Sequence, residues 1–129
     1  MFERINPESM AAPIGFSHAV KAQGTVVYLA GQTALNKDGV IVGNGIVEQF
    51  EIALTNLLTA LDHAGGKPSQ LAKLTIFSTD PQNYRDNARE LGKVWQRLVG
   101  RDYPAMTLVG VTRLWDIEAL VEIEGIAVL

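Results

Sequence analysis

The sequence predicts an α+β fold in which two helices lie on one face of a mixed sheet. Two segments carry apolar residues at helical spacing, and five other segments are short and rich in β-branched or apolar residues. Their order along the chain is strands, helix, strand, helix, strands. No repeat, linker or low-complexity tract divides the 129 residues, so we expect one domain over residues 1–129.

The first helix is predicted from about Val47 to Ala64. Its apolar residues recur every three or four positions and form one stripe. Gly65 and Gly66 supply a C-terminal cap, and Pro68 prevents the helix from resuming. The stripe consists of Val47, Phe50, Leu54, Leu57, Leu58 and Leu61.

The second helix is predicted from about Pro81 to Val99. Asp80 is suited to the N-cap, Pro81 to the first helical position, and Gly100 to the C-terminal cap. Its apolar stripe consists of Tyr84, Ala88, Leu91, Trp95 and Leu98.

The final predicted strand is apolar on both faces apart from Glu122 and Glu124. Such a strand must be covered on both faces, and the two helices cover only one. We therefore expect a second copy of the chain to cover the other face in a closed homo-oligomer. The predicted strands are Phe16–Ala22, Thr25–Ala30, Leu71–Thr79, Ala105–Thr112 and Leu120–Leu129.

The composition excludes several classes of site and partner. There is no cysteine and there are only two histidines, which excludes thiolate chemistry and a multi-histidine metal site. A net charge of −3 argues against a nucleic-acid partner. No apolar run approaches the roughly 20 residues that span a bilayer. Because the first ten residues lack the apolar core of a signal peptide, we expect a cytoplasmic protein without a membrane partner.

Two stretches of the sequence form recognisable motifs. The first is Phe-Ser-His-Ala-Val at 16–20 followed by Gly31-Gln32. The second is Val-Gly-Val-Thr-Arg-Leu at 109–114, then Val-Glu-Ile-Glu-Gly-Ile-Ala at 121–127. Both resemble RidA/YjgF-type proteins, the family of enamine/imine deaminases and L-PSP endoribonuclease-like proteins. The resemblance implies a six-stranded mixed sheet with two helices, as in Bacillus chorismate mutase. It also implies a homotrimer with ligand clefts between subunits.

The resemblance further implies hydrolysis of reactive imines or enamines to ammonia and a 2-oxo acid, without metal or cofactor. In those proteins an arginine follows a Pro-Ala pair and binds the substrate carboxylate. Here that position holds Met106, which cannot pair with a carboxylate. Leu108 stands where a cysteine is frequent. The familiar substrate class therefore does not carry over directly.

The resemblance assigns the remaining site residues. Glu122 matches the glutamate that positions a hydrolytic water, and a partly desolvated carboxylate suits acid–base work. Phe16 lines the cleft, Gly31 lets the backbone approach a ligand, and Met106 and Thr107 complete the substrate-binding set.

A structural alternative stands beside each assignment. Glu122 and Glu124 share one face of a strand and could pair with basic residues at a subunit contact. Met106 and Trp115 could be packing residues. Arg113 either replaces the missing cation or has a structural role, and His18 and His63 are expected to be structural.

At the level of function, two interpretations remain open. The chain is a RidA-like deaminase of a small imine, enamine or related amine, or it is a non-catalytic trimer that binds or senses a small molecule. Ribonuclease activity fits poorly with the acidic balance and the sparse basic clusters.

Overall fold

The structure is a computed structural model that describes residues 1–129. Six strands and three helices form the fold, with a short 3₁₀ turn at Pro68–Gln70. They are β1 Phe2–Ile5, β2 Ala19–Ala22, β3 Val26–Gln32, α1 Gly45–His63, β4 Leu71–Ser78, α2 Pro81–Asp86, α3 Ala88–Leu98, β5 Ala105–Gly110 and β6 Val121–Val128.

The main sheet has the order β3-β6-β4-β5. Strand β6 is antiparallel to both β3 and β4, whereas β4 and β5 are parallel, so the sheet is mixed as predicted. The α+β class is confirmed. Strand β6 lies inside the sheet and pairs on both edges, while β5 is an edge strand.

The six strands are grouped by hydrogen bonding into sheets of four and two strands. Strands β1 and β2 pair with each other, and this hairpin joins the main sheet only through a bridge between Ser17 and Ala105. At the bridge the Ser17 N–H donates to the carbonyl of Pro104 (2.9 Å) and its hydroxyl to that of Tyr103 (2.6 Å). Because one bridge replaces a continuous ladder, β2 begins at Ala19 and not at the predicted Phe16.

Helix α1 lies on one face of the main sheet, and α3 packs against α1. The predicted stripe is confirmed, since Leu54, Leu57 and Leu61 are fully buried. From the sheet, Val121, Ile123 and Ala127 of β6 are equally buried beneath the helix. Truncating a buried leucine or isoleucine to alanine typically lowers the free energy of unfolding by about 2–5 kcal/mol, so this layer stabilises the fold.

The second helix differs from its prediction because it is interrupted at Asn87. The side-chain amide of Asn87 donates to the carbonyl of Asn83 (2.8 Å), and its backbone leaves helical geometry at φ −104° and ψ 14°. Asparagine competes in this way with the helical backbone. The predicted cap is confirmed, since Asp80 accepts from the Asn83 N–H at 3.0 Å. Ala88 was predicted to lie in the buried stripe but is exposed.

The sheet face opposite the helices has no cover within the protomer. Residues Glu122, Glu124, Ile126 and Val128 of β6 alternate with the buried ones and point to this face, which we call the open face. On β3, Tyr28 pairs with Ile126 and is 79% exposed. The sequence predicted this uncovered second face. None of the helices is long and apolar enough to cross a membrane.

One buried polar residue ties α1 to the segment that leads into β6. Gln49 is 4% exposed, and its amide nitrogen donates to the carbonyls of Glu118 (3.2 Å) and Gly43 (3.4 Å). Its amide oxygen accepts from the N–H of Leu120 at 2.9 Å. Gln49 therefore fixes where β6 begins.

We expect Gln49→Leu to lower the free energy of unfolding by about 2–3 kcal/mol, because leucine keeps the volume but leaves buried backbone groups unpaired. Urea unfolding at one fixed protein concentration measures the change. Gln23→Leu is the matched control, since Gln23 is exposed. Equal stability of the two variants would contradict the anchoring role.

Candidate functional site

The carboxylate of Glu122 lies over a glycine on the open face. Strand β3 is irregular between Leu29 and Gln32, where two residues face the single residue Glu124 of β6. This bulge places Gly31 beneath Glu122. A Cβ at Gly31 would lie 2.1 Å from Oε1 of Glu122, so a side chain there would displace the carboxylate from this position. The structure thus brings together two residues of the predicted site, Gly31 and Glu122.

Burial raises the pKa of Glu122 above its ordinary value, and the neighbouring charges of Glu124 and Asp116 raise it further. A carboxyl with a raised pKa is better matched to proton transfer near neutral pH. The influence of Asp116 on Glu122 was not predicted from the sequence, because it depends on a turn that folds back toward the beginning of β6.

On the other side of the sheet, Phe16, Met106 and Thr107 line a cavity of about 190 Å³. Met106 pairs in register with the buried Leu74 and packs against the core beneath the helices. The Thr107 hydroxyl, in contrast, accepts from Nζ of Lys73 at 2.9 Å, a contact made on the open face. Leu108 also lines this cavity.

The predicted site residues therefore form two groups, Gly31 with Glu122 and Phe16 with Met106 and Thr107. Thr107 points to the same face of the sheet as Glu122, whereas Met106 points to the opposite face.

The register of the strands fixes these orientations. Leu74 of β4 pairs with Met106, and Phe77 of β4 pairs with Glu122. Leu74 and Phe77 are three residues apart on one strand, so their side chains point to opposite faces. Met106 faces the helices and Glu122 faces away from them. Within one protomer the structure does not bring the two groups together.

Three of the alternative residues have contacts within the protomer. The Arg113 guanidinium donates to the carbonyls of Leu114 (3.1 Å) and Trp115 (3.0 Å), which favours its structural role. A ring nitrogen of His18 lies 2.8 Å from the carbonyl of Ala11, and one of His63 lies 3.0 Å from that of Thr59.

Trp115 behaves differently, because it is 92% exposed and takes no part in the core of the protomer.

A second cavity, of about 500 Å³, was not predicted from the sequence. It lies between α3, β5 and the loop at Ile14, and it shares Met106 with the smaller cavity. Trp95 lines it and stacks on Tyr103 with ring centroids 5.6 Å apart. The signal that could have indicated it is Gly92, a helix-breaking residue in the middle of a predicted helix.

A mixed sheet with helices on one face is the fold that the resemblance to RidA/YjgF-type proteins implied. Residues 7–129 match the family described as Endoribonuclease L-PSP, and the chain belongs to that family.

Relatives with established names extend this assignment. The chain is 33% identical over 129 residues to a RutC family protein of Pyrococcus horikoshii, covering 98% of both chains. It is 34% identical over 119 residues to a 2-iminobutanoate/2-iminopropanoate deaminase of Dermatophagoides farinae, covering 91% of this chain and 88% of that one.

A solved structure agrees over the whole chain. The Rid-family protein of unknown function YyfB from Yersinia pestis superposes with a TM-score of 0.88 at 32% identity, covering 99% of this chain and 98% of that one. The fold is therefore that of the Rid family.

The raised pKa of Glu122 predicts a pH-dependent stability difference. The protonated form is favoured in the folded state, so this contribution is fully present below the pKa of an unfolded glutamate. It is lost as the pH rises through the raised folded value. We expect Glu122→Gln to gain stability relative to the unsubstituted protein as the pH rises above about 4, the ordinary pKa of an unfolded glutamate. Urea unfolding across this range measures the difference.

The same comparison in a Glu124→Gln background is the control. Removing the neighbouring charge should make the gain smaller, because one cause of the raised pKa is then absent. A difference that stays constant with pH in both backgrounds would show that Glu122 titrates alike in the folded and unfolded chains.

Proposed function

We propose that this chain, a single RidA-like domain over residues 1–129, is a homotrimeric hydrolase that deaminates a small reactive imine or enamine. The observation that carries the proposal is the Glu122 carboxylate, which lies on Gly31 and has a raised pKa. Membership of a family that includes a named iminobutanoate deaminase supports this reaction class.

The site is proposed to lie between subunits because Met106 and Glu122 point to opposite faces of the sheet in one protomer. The Met106 group of one protomer can approach the Glu122 group only if the latter comes from a neighbour. The open face provides a reason for association, since exposed Tyr28 and the apolar residues Ile126 and Val128 lie on it. Covering such a face removes apolar surface from water.

In the proposed reaction Glu122 accepts a proton from water as the water oxygen attacks the imine carbon. The carbon–oxygen bond forms, and the carboxyl passes this proton to the imine nitrogen, which becomes an amine. Glu122 then takes the hydroxyl proton of the resulting carbinolamine and delivers it to the amine nitrogen as the carbon–nitrogen bond breaks, which releases ammonia and leaves a carbonyl compound. Water and imine balance ammonia and carbonyl, so no oxidant or cofactor is needed.

Met106 sets the expected substrate preference. A thioether supplies no charge, so a small imino acid such as 2-iminopropanoate loses the bidentate contact that an arginine provides. Loss of such a contact costs roughly a hundredfold in rate.

We expect Met106→Arg to raise turnover of 2-iminopropanoate by roughly that hundredfold, because the guanidinium restores a partner for the carboxylate. Ammonia release from imino acids generated in situ is the measurement. Met106→Leu, which keeps the volume without the charge, is the control and should stay at the unsubstituted rate. A gain in both variants would show that the charge at this position is irrelevant.

We expect Glu122→Gln to abolish turnover while the trimer persists, because glutamine is isosteric but cannot accept the proton from water. Ammonia release and light scattering on the same sample measure the two properties. A monomeric mass for the unsubstituted protein would contradict the site between subunits. Full activity of Glu122→Gln would discard the proton-transfer role.

Subunit mixing tests the composite site directly. Met106→Trp fills the smaller cavity and is expected to be inactive by itself. In trimers mixed from Met106→Trp and Glu122→Gln subunits, some interfaces combine the intact Met106 of one subunit with the intact Glu122 of another. Activity should therefore return in part. Mixing that restores nothing would place both groups in one protomer.

The non-catalytic alternative is favoured by one observation, the absence of a cation at position 106. In a binding or regulatory trimer, Met106→Arg would change ligand affinity without any release of ammonia.

A further inference from the structure

The cavity beside Met106 is large enough for a ligand with an extended apolar part. Its volume of about 500 Å³ lies within the range of small-molecule sites. Phe50, Leu91 and Trp95 contribute apolar side chains to its wall, together with Met106.

Gly92 lines this cavity with no side chain to occupy it. It lies inside α3, where glycine destabilises a helix by about 1 kcal/mol relative to alanine. A Cβ added there would meet no atom within 4 Å, because it would point into empty space. Packing within the protomer therefore does not require a glycine at this position, and a large side chain there would enter the cavity.

The charged side chains of the cavity wall are all cationic. Arg89 and Lys93, one helical turn apart on α3, are its only charged lining residues, and no carboxylate lines it. Lys93 pairs with Glu90 at 3.1 Å, whereas Arg89 takes part in no ion pair. Burial raises the pKa of Tyr84, which also lines the cavity, to about 12, so its hydroxyl remains a hydrogen-bond donor at neutral pH.

We propose that the cavity binds the apolar chain or ring of a monocarboxylate substrate, with Arg89 at the rim pairing with the acid group. This assignment of a substrate class rests on the proposed deaminase function. It favours substrates with long or aromatic side chains over the short imino acids. The apolar part is buried beside Trp95 and Met106, and the negative charge stays at the solvent-facing helix surface.

Binding is testable with unreactive straight-chain acids from propanoate to octanoate. The two tryptophans are Trp95 in the cavity and Trp115, so Trp115→Phe leaves Trp95 fluorescence as the reporter of occupancy. We expect affinity to rise roughly fourfold for each added methylene until the cavity is filled. An affinity that does not depend on chain length would overturn the proposal.

Two pairs of variants test the wall and the rim. Gly92→Leu fills the cavity with a better helix former and should weaken octanoate binding by at least about tenfold without loss of folding, whereas Gly92→Ala should weaken it less. Arg89→Met should weaken every acid about two- to fivefold. Arg85→Met is its matched control, an exposed arginine on α2, four residues earlier in the chain, that does not line the cavity.

The matching alkanols separate charge from apolar burial. They should bind unsubstituted protein and Arg89→Met equally. Unchanged octanoate binding in Gly92→Leu, or equal effects of the two arginine variants, would overturn the assignment.

These measurements need no turnover, so the two proposals can fail separately. Chain-length-dependent binding without ammonia release from any imine would leave the cavity assignment standing and reject the deaminase. Turnover of imines without binding of the acids would reject the cavity assignment and leave the deaminase proposal standing.

Discussion

The structure depends on strand β6, whose two faces differ in burial. Val121, Ile123 and Ala127 are buried beneath α1, and the intervening residues point to the open face. Because side chains alternate with a period of two, a shift of one residue in register would place Glu122 and Glu124 in the core. The register that buries the apolar set therefore also fixes the position of Glu122. Gln49 holds the same register from the helix side by anchoring the backbone on either side of Ala119.

Local patterns in the sequence were sufficient for the main elements. The spacing of Phe50, Leu54 and Leu57 predicted α1, because helix burial follows a period that adjacent residues report. The break at Asn87 was not predictable, since it depends on one side-chain rotamer that competes with the backbone. Strand β1 was missed because its four residues include Glu3 and Arg4 and pair only with the distant β2. The division of the six strands into two sheets was not predictable either, because it depends on a single long-range bridge.

The candidate site was predictable only in part. Alternation along β6 placed Glu122 beside Glu124, and the family resemblance selected Glu122 and Met106. Their orientation to opposite faces could not be predicted, because it requires the register of β4 against both β5 and β6. The larger cavity was missed for another reason. It arises from space left between α3 and the loop at Ile14, and empty space has no sequence pattern beyond the unexplained Gly92.

This division between the two faces has a consequence for how the protein distinguishes ligands. Proton transfer is proposed to depend on Glu122 and Gly31, and recognition on Met106 and the cavity walls behind it. The two sets share no side chain, and the backbone of the sheet separates them. Within one protomer, Met106 therefore takes no part in the environment that raises the pKa of Glu122. Arg89 leaves a cation at the rim, so the expected ligand inserts its apolar part and keeps its charge outside. Substrate preference can thus change while the hydrolytic group remains as it is.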